Sequence, residues 1–246
     1  MIKKKYMTLL AASALALSVS ACGSSREENE TQNLSEEART QDQEPAEGDR
    51  DADAAGESGG GAQGNGDSRI LIAYFTAAEN SGVDAEASAS YSDVDGEAKG
   101  RMQALAEMIQ AETGGDLFSI QTEEIYPADG GELIDYAADE LDEDARPELS
   151  THIENLDDYD TIFVGYPNWW ADLPMPLYTF FDEYDFSGKT IIPFNSHNGS
   201  RFSGTIQTIE EMKPDATVIE DGFTVNERDI SDAAGDIADW INELGY

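Results

Sequence analysis

The chain has 246 residues, 52 of them Asp or Glu and 14 Lys or Arg, for a formal net charge of −38 at pH 7. So acidic a surface argues against nucleic acid as a partner and against electrostatic attachment to anionic headgroups. With one cysteine and two histidines, a disulfide framework is excluded and a metal centre would have only carboxylates to draw on, so no metal site is expected.

The chain opens with a processing signature. Lys3, Lys4 and Lys5 precede the apolar run "MTLLAASALALSV", and Val19-Ser20-Ala21 leads into Cys22. The run is too short for a stable membrane span. Small residues directly before a cysteine resemble the bacterial lipobox. Residues 1–21 are therefore expected to be a lipoprotein signal peptide, with Cys22 lipidated and the protein held outside the cytoplasmic membrane through that lipid alone. Residues 22–68 then carry the lipid and an acidic tether. Leu34 is the only large apolar side chain between 23 and 68, too little to offset the entropy of ordering. As a flexible coil the tether spans about 35–40 Å.

Residues 69–246 are long enough for one domain with a sizeable core. "RILIAYF" (69–75) is a continuous apolar run with branched and aromatic residues, the pattern of a strand buried on both faces. Helical spacing follows at 100–115, closing on Gly114-Gly115. A short strand at 116–121 and a helix at 131–147, ended by Pro147, come next. "DYDTIFVGYP" (158–167) is an apolar strand stopped by proline, and 175–184 a helix with Pro176 in its first turn. A strand at 189–196 contains Pro193, an oddity there. A helix at 204–212, a strand at 216–225 and a terminal helix at 227–246 complete the chain. Strands alternating with amphipathic helices predict an α/β fold, a doubly wound five-stranded parallel sheet of order 2-1-3-4-5 with helices on both faces. Ligands of such sheets bind beyond the carboxyl ends of the strands. That directs attention to the loops 76–99, 167–174 and 196–204.

The second of these loops holds Trp169 and Trp170 side by side. At the sheet's switch point their planes suit stacking on a flat heterocycle. The alternative is that one indole packs on a neighbouring helix and the other covers a dimer patch. In the third loop Ser196, Gly199, Ser200, Ser203 and Gly204 let backbone amides approach a ring edge. His197 either donates to a ring oxygen or a reducible substrate, or only caps the turn. In the first loop Thr76, Asn80 and Ser81 are side-chain donors of the kind a phosphate needs.

Taken together, Tyr166-Pro167-Asn168-Trp169-Trp170, Leu173-Pro174-Met175-Pro176, Ser187-Gly188-Lys189 and the 196–204 loop resemble the flavodoxin family, in a bacterial lipoprotein form, over nearly the whole of 69–246. The resemblance implies bound FMN. Its ring would lie against Pro167, Asn168, Trp169 and Trp170 on one side and Ser196, His197, Asn198, Gly199 and Gly204 on the other. Its phosphate would lie at Thr76, Asn80 and Ser81. Implied too is electron transfer between a donor and an acceptor that the sequence does not identify, with no catalytic side chain. The first loop departs from the family's Ser/Thr-x-Thr-Gly-Asn-Thr: Ala78 lacks the hydroxyl and Glu79 stands for the glycine. An insert at 82–99 separates the loop from its helix, and either folds over the site, with Tyr91 as a lid, or weakens FMN binding. Two other functions stay open: a flavin-dependent NAD(P)H:quinone or small-acceptor reductase, and a cofactor-free binding module.

Overall fold

The computed structural model of the protein describes residues 69–81 and 91–246. The signal segment 1–21, Cys22, the 22–68 tether and residues 82–90 of the insert lie outside the described residues, as does the side chain of Tyr91. No helix among the described residues is long and apolar enough to cross a membrane.

The apolar run becomes β1 (Ile70–Phe75), followed by a single helical turn, α1 (Ala77–Asn80). Part of the insert folds as a hairpin of β2 (Tyr91–Val94) and β3 (Glu97–Gly100). Next come α2 (Arg101–Thr113), β4 (Asp116–Ile120), α3 (Gly130–Asp142), β5 (Thr161–Pro167) and α4 (Met175–Glu183). The chain ends with β6 (Thr190–His197), α5 (Thr205–Met212), β7 (Thr217–Val218), β8 (Phe223–Asn226) and α6 (Ala234–Leu244).

The main sheet is parallel and runs β4-β1-β5-β6, with β7 and β8 both on the outer side of β6. This is the order expected from the sequence. β1 lies second from one edge, and Ile72 stands between Leu117 and Phe163. Leu71, Ala73 and Phe75 point into a core shared with Leu133 of α3, Leu177 and Phe180 of α4 and Ile209 of α5. Ile72 and Tyr74 point the other way, to Leu105 and Ile109 of α2 and Ile237 and Ile241 of α6. Each large apolar side chain so buried contributes about 1.5–3 kcal/mol. That is why the central strands read as unbroken apolar runs. Gly165 makes room at the middle of the sheet: a Cβ there would sit 2.2 Å from the ring of Phe194.

The fifth strand position is filled in two pieces, and Pro193 explains the break. The carbonyl of Ile191 accepts from the amide of Ile219, so Ile191 faces outward. Pro193, two residues on, faces the same way and has no N–H to give. Val218 stands beside Ile191, yet Phe223 stands beside Phe194, so the outer chain loops away where the proline sits.

Two helix ends also differ from expectation. α3 stops at Asp142, well before Pro147, because Asp144 takes the left-handed conformation (φ 51°) and the Ala145 amide reaches back to the Glu140 carbonyl. This is a Schellman closure with Asp in the place usual for Gly. α6 begins at Ala234, after a 3-10 turn at Ile230–Asp232, and not at 227.

Candidate functional site

A cleft of about 260 Å³ opens beyond the carboxyl ends of β1, β5 and β6. Thr76 and Ala77 lie at the end of β1, and Arg101 and Met102 begin α2 beside them. Pro167 to Trp170 form one wall and Ser196 to Asn198 another. Gly130, Leu133, Ile134 and Ala137 present the face of α3, and Glu227 closes the side beyond β8. Of the residues read from the sequence, the structure brings Thr76, Pro167, Asn168, Trp169, Trp170, Ser196, His197 and Asn198 to this cleft. Asn80, Ser81, Gly199 and Gly204 do not line it.

The two tryptophans are held differently. Trp169 packs edge-on against Phe75, with ring centroids 5.5 Å apart at 87°, and lies 5.9 Å from the ring of Tyr126. Behind it the Tyr126 hydroxyl donates to the Glu140 carboxylate, 2.9 Å from each oxygen. Burial raises the Glu140 carboxyl from 4.5 to about 7, while the Tyr126 hydrogen bond opposes the shift. Trp170 is 57% exposed, and its Nε1 donates to the Ile134 carbonyl at 3.2 Å. The loop reverses between them. Trp169 and Asp172 exchange backbone hydrogen bonds of 3.1 and 2.8 Å. Trp170 (φ 53°) and Ala171 (φ 66°) are both left-handed. That is the shape of a type I′ turn, built without the glycine or asparagine that makes it easy. Left-handed non-glycine residues cost on the order of 1–3 kcal/mol each.

Asn168 joins the two loops. Its amide donates to the Ser196 carbonyl at 2.8 Å, and its Nδ2 to the Arg201 carbonyl at 2.6 Å and to Ser203 Oγ at 3.3 Å. Its Oδ1 is buried with no partner, alone in this among the described atoms of the cleft lining. His197 is the last residue of β6, not a loop residue. Its Nδ1 accepts the Gly199 amide at 2.8 Å, so the neutral ring carries its proton on Nε2. Burial and the nearby Arg201 charge lower its pKa, with Glu227 acting against them. His197 is therefore a neutral donor at neutral pH. Gly199 (φ 97°) serves the histidine and not the cleft directly.

Beyond Thr76, the polar side chains of the first loop are spent on structure. Asn80 Nδ2 donates to the carbonyls of Thr76 (2.8 Å) and Ile120 (3.3 Å). Its Oδ1 accepts the Thr122 amide (2.8 Å) and hydroxyl (3.2 Å). Ser81 Oγ turns back to the Ala78 carbonyl at 3.2 Å. Glu79 is drawn away from the cleft lining by the hydroxyls of Tyr74 and Ser119.

Sequence reading missed Arg101. It lines the cleft, and its Nε donates to Ser92 Oγ of the hairpin while NH1 meets Glu227 Oε2, both at 3.2 Å. Gly100 lets the hairpin end close on β1: a Cβ there would lie 2.7 Å from Thr76 Oγ1. The signal was present in the sequence. Asp95-Gly96, with φ of 55° and 82°, is a hairpin turn, and it delivers the chain to Arg101.

A search among curated proteins finds no match. Solved structures do match. A protein of Bacteroides eggerthii assigned as a flavoprotein is 26% identical, with a TM-score of 0.54 over 73% of this chain and 99% of that one. Another from Bacteroides uniformis is 24% identical, with a TM-score of 0.55 over the same shares. A flavoprotein of Lactobacillus acidophilus, solved in complex with FMN, is 20% identical, with a TM-score of 0.50 over 71% of this chain and 99% of that one. The family model described as flavodoxin matches residues 89–244, more than half of the chain, and the chain belongs to the flavodoxin family.

Proposed function

We propose that the chain binds FMN in this cleft and serves as an electron carrier held outside the bacterial membrane by a lipid on Cys22. The observation that carries the cofactor reading is the cleft at the end of β1, walled by Trp169 and Trp170, in a member of this family. The donor set fits a flavin. Trp169, Trp170, Leu133 and Ile134 supply flat apolar walls for a ring. His197, with its proton on Nε2, suits a ring carbonyl, and Asn168 Oδ1 is an acceptor still to be satisfied. The complex of the Lactobacillus acidophilus flavoprotein with FMN adds support by analogy of fold.

When bound, the flavin supplies reversible uptake of electrons; the protein supplies orientation and field. Trp169, braced by Phe75 and Tyr126, keeps water off the inner face. The surrounding negative charge disfavours added electrons and so lowers the reduction potential. The processing signature at Lys3–Cys22 supports placement outside the cytoplasmic membrane, with the acidic tether spacing the domain from a surface that repels it.

Titration of FMN into the purified chain tests the cofactor reading. Mutual quenching of flavin and tryptophan fluorescence is expected, and Trp169→Ala weakens it. A chain that stays colourless and leaves flavin emission unchanged would sink the proposal. Membrane placement is checked separately, by loss of membrane association in Cys22→Ala.

A further inference from the structure

Resting on the FMN reading, we infer that Arg101 is the phosphate-recognising residue, a role moved from the first loop to the start of α2. Three observations lead there. In the first loop Thr76 alone keeps a side-chain donor at the cleft, and a single neutral hydroxyl cannot balance a phosphate's charge: Asn80 and Ser81 are committed to backbone partners, the side chains of Ala77 and Ala78 have no hydroxyl, and Glu79 is an anion. Arg101 and Glu227 are the only full charges in the cleft lining among the described residues, because His197 is neutral there. In a chain with 52 acidic residues against 14 basic, a half-buried cation at this position needs a reason.

The third observation is how the guanidinium is placed. Its side chain is 20% exposed, fixed through Nε to Ser92 and through NH1 to Glu227, beside Thr76. Glu227 touches one end of the fork only, at 3.2 Å. The guanidinium has five donors in a planar array suited to phosphate oxygens, and the bonds to Ser92 and Glu227 leave donors over. Burial lowers its pKa and Glu227 only partly opposes this, so the charge is under-compensated where it sits. The start of α2 adds its dipole, with no side chain capping it. The hairpin thus has a function: Ser92 holds the guanidinium and Gly100 closes beside Thr76, which sets Arg101 at the cleft. Glu227 is its competitor, a carboxylate that a bound phosphate displaces or shares.

The test compares FMN with riboflavin, which has the same ring and no phosphate. Flavin fluorescence titrations on the full chain measure both ligands for the parent, Arg101→Gln and Glu227→Gln. The parent prefers FMN. R101Q weakens FMN by roughly tenfold to a hundredfold and leaves riboflavin unchanged. E227Q tightens FMN, also without touching riboflavin, and keeps the idea testable if R101Q folds poorly. The parent's FMN affinity falls more steeply with salt than that of R101Q. Equal losses for both ligands in R101Q make Arg101 merely structural and overturn the assignment. So do equal parental affinities for FMN and riboflavin, or weaker FMN binding in E227Q. Those results leave the flavin site standing, whereas binding of neither flavin by the parent overturns both readings.

Discussion

The loops after β1 and after β5 sit at the same edge of the sheet and use their polar atoms in opposite ways. In the first, the Asn80 side chain makes four hydrogen bonds and Glu79 and Ser81 are tied to neighbours. In the second, Trp170 and Ala171 are left-handed, Asn168 Oδ1 has no partner and Trp170 is 57% exposed. A satisfied loop is scaffold. A loop that holds strain and an unmet acceptor is stabilised by its surroundings and has something left to bind. Family position alone would have assigned ligand contacts to both.

The largest effect should come from breaking the satisfied side. Asn80→Ala strips the acceptor from the half-buried Thr122 amide and the donor from the buried Thr76 carbonyl, and should lower stability by about 3 kcal/mol. A fall in the urea midpoint at unchanged m-value measures it, and a loss under about 1 kcal/mol would remove Asn80 from the scaffold. Next is the Glu140 carboxyl, which belongs to the same frame because the Tyr126 amide donates to the Asn80 carbonyl. Its folded value, about 7, stands above its ordinary 4.5. It therefore favours folding below 4.5, and that contribution is lost as pH rises towards 7. Relative to Glu140→Gln, the parent's melting temperature should decline across that window, and parallel curves would refute the shift.

On the open side the losses are smaller. Asn168→Ala removes two hydrogen bonds but also an orphaned acceptor, so about 1 kcal/mol is expected. A cost as large as that of Asn80→Ala would erase the contrast between the loops. The smallest effect has the opposite sign. Ala171→Gly relieves a left-handed alanine at φ 66° and should stabilise by roughly 0.5–1 kcal/mol after the glycine's own entropy is counted. A destabilised variant would show the turn to be unstrained.

Much of the fold was legible because burial on both faces leaves a plain mark. β1 and β5 are apolar without interruption, and Gly114 ends α2 in the left-handed conformation expected. Reading failed where one residue's backbone chemistry overrode a pattern. Pro193 splits its neighbour strand, not its own, and Asp144 closes α3 without waiting for Pro147. At the cleft, the walls at 167–170 and 196–198 were legible from aromatic and small residues in the right loops. Asn80 and Ser81 do not line the cleft: residue type shows donor capacity but not where the donor is spent. Arg101 escapes a reading that takes 76–99 as one loop, although Asp95-Gly96 marks a hairpin ending just before it.

The broken outer strand also bears on how copies of this protein meet. An open sheet offers unpaired amides and carbonyls at its rim, a template on which another chain can add. Here the rim beyond β6 is divided into strands of two and four residues, out of step with each other. At the opposite rim the end of β4 is covered: Ser150 donates to the Gln121 carbonyl, Gln121 to Thr151 Oγ1, and Thr151 Oγ1 to the Ser119 carbonyl. Neither side presents a long straight ledge. Many such domains crowded onto one surface would pass each other without zipping into a shared sheet.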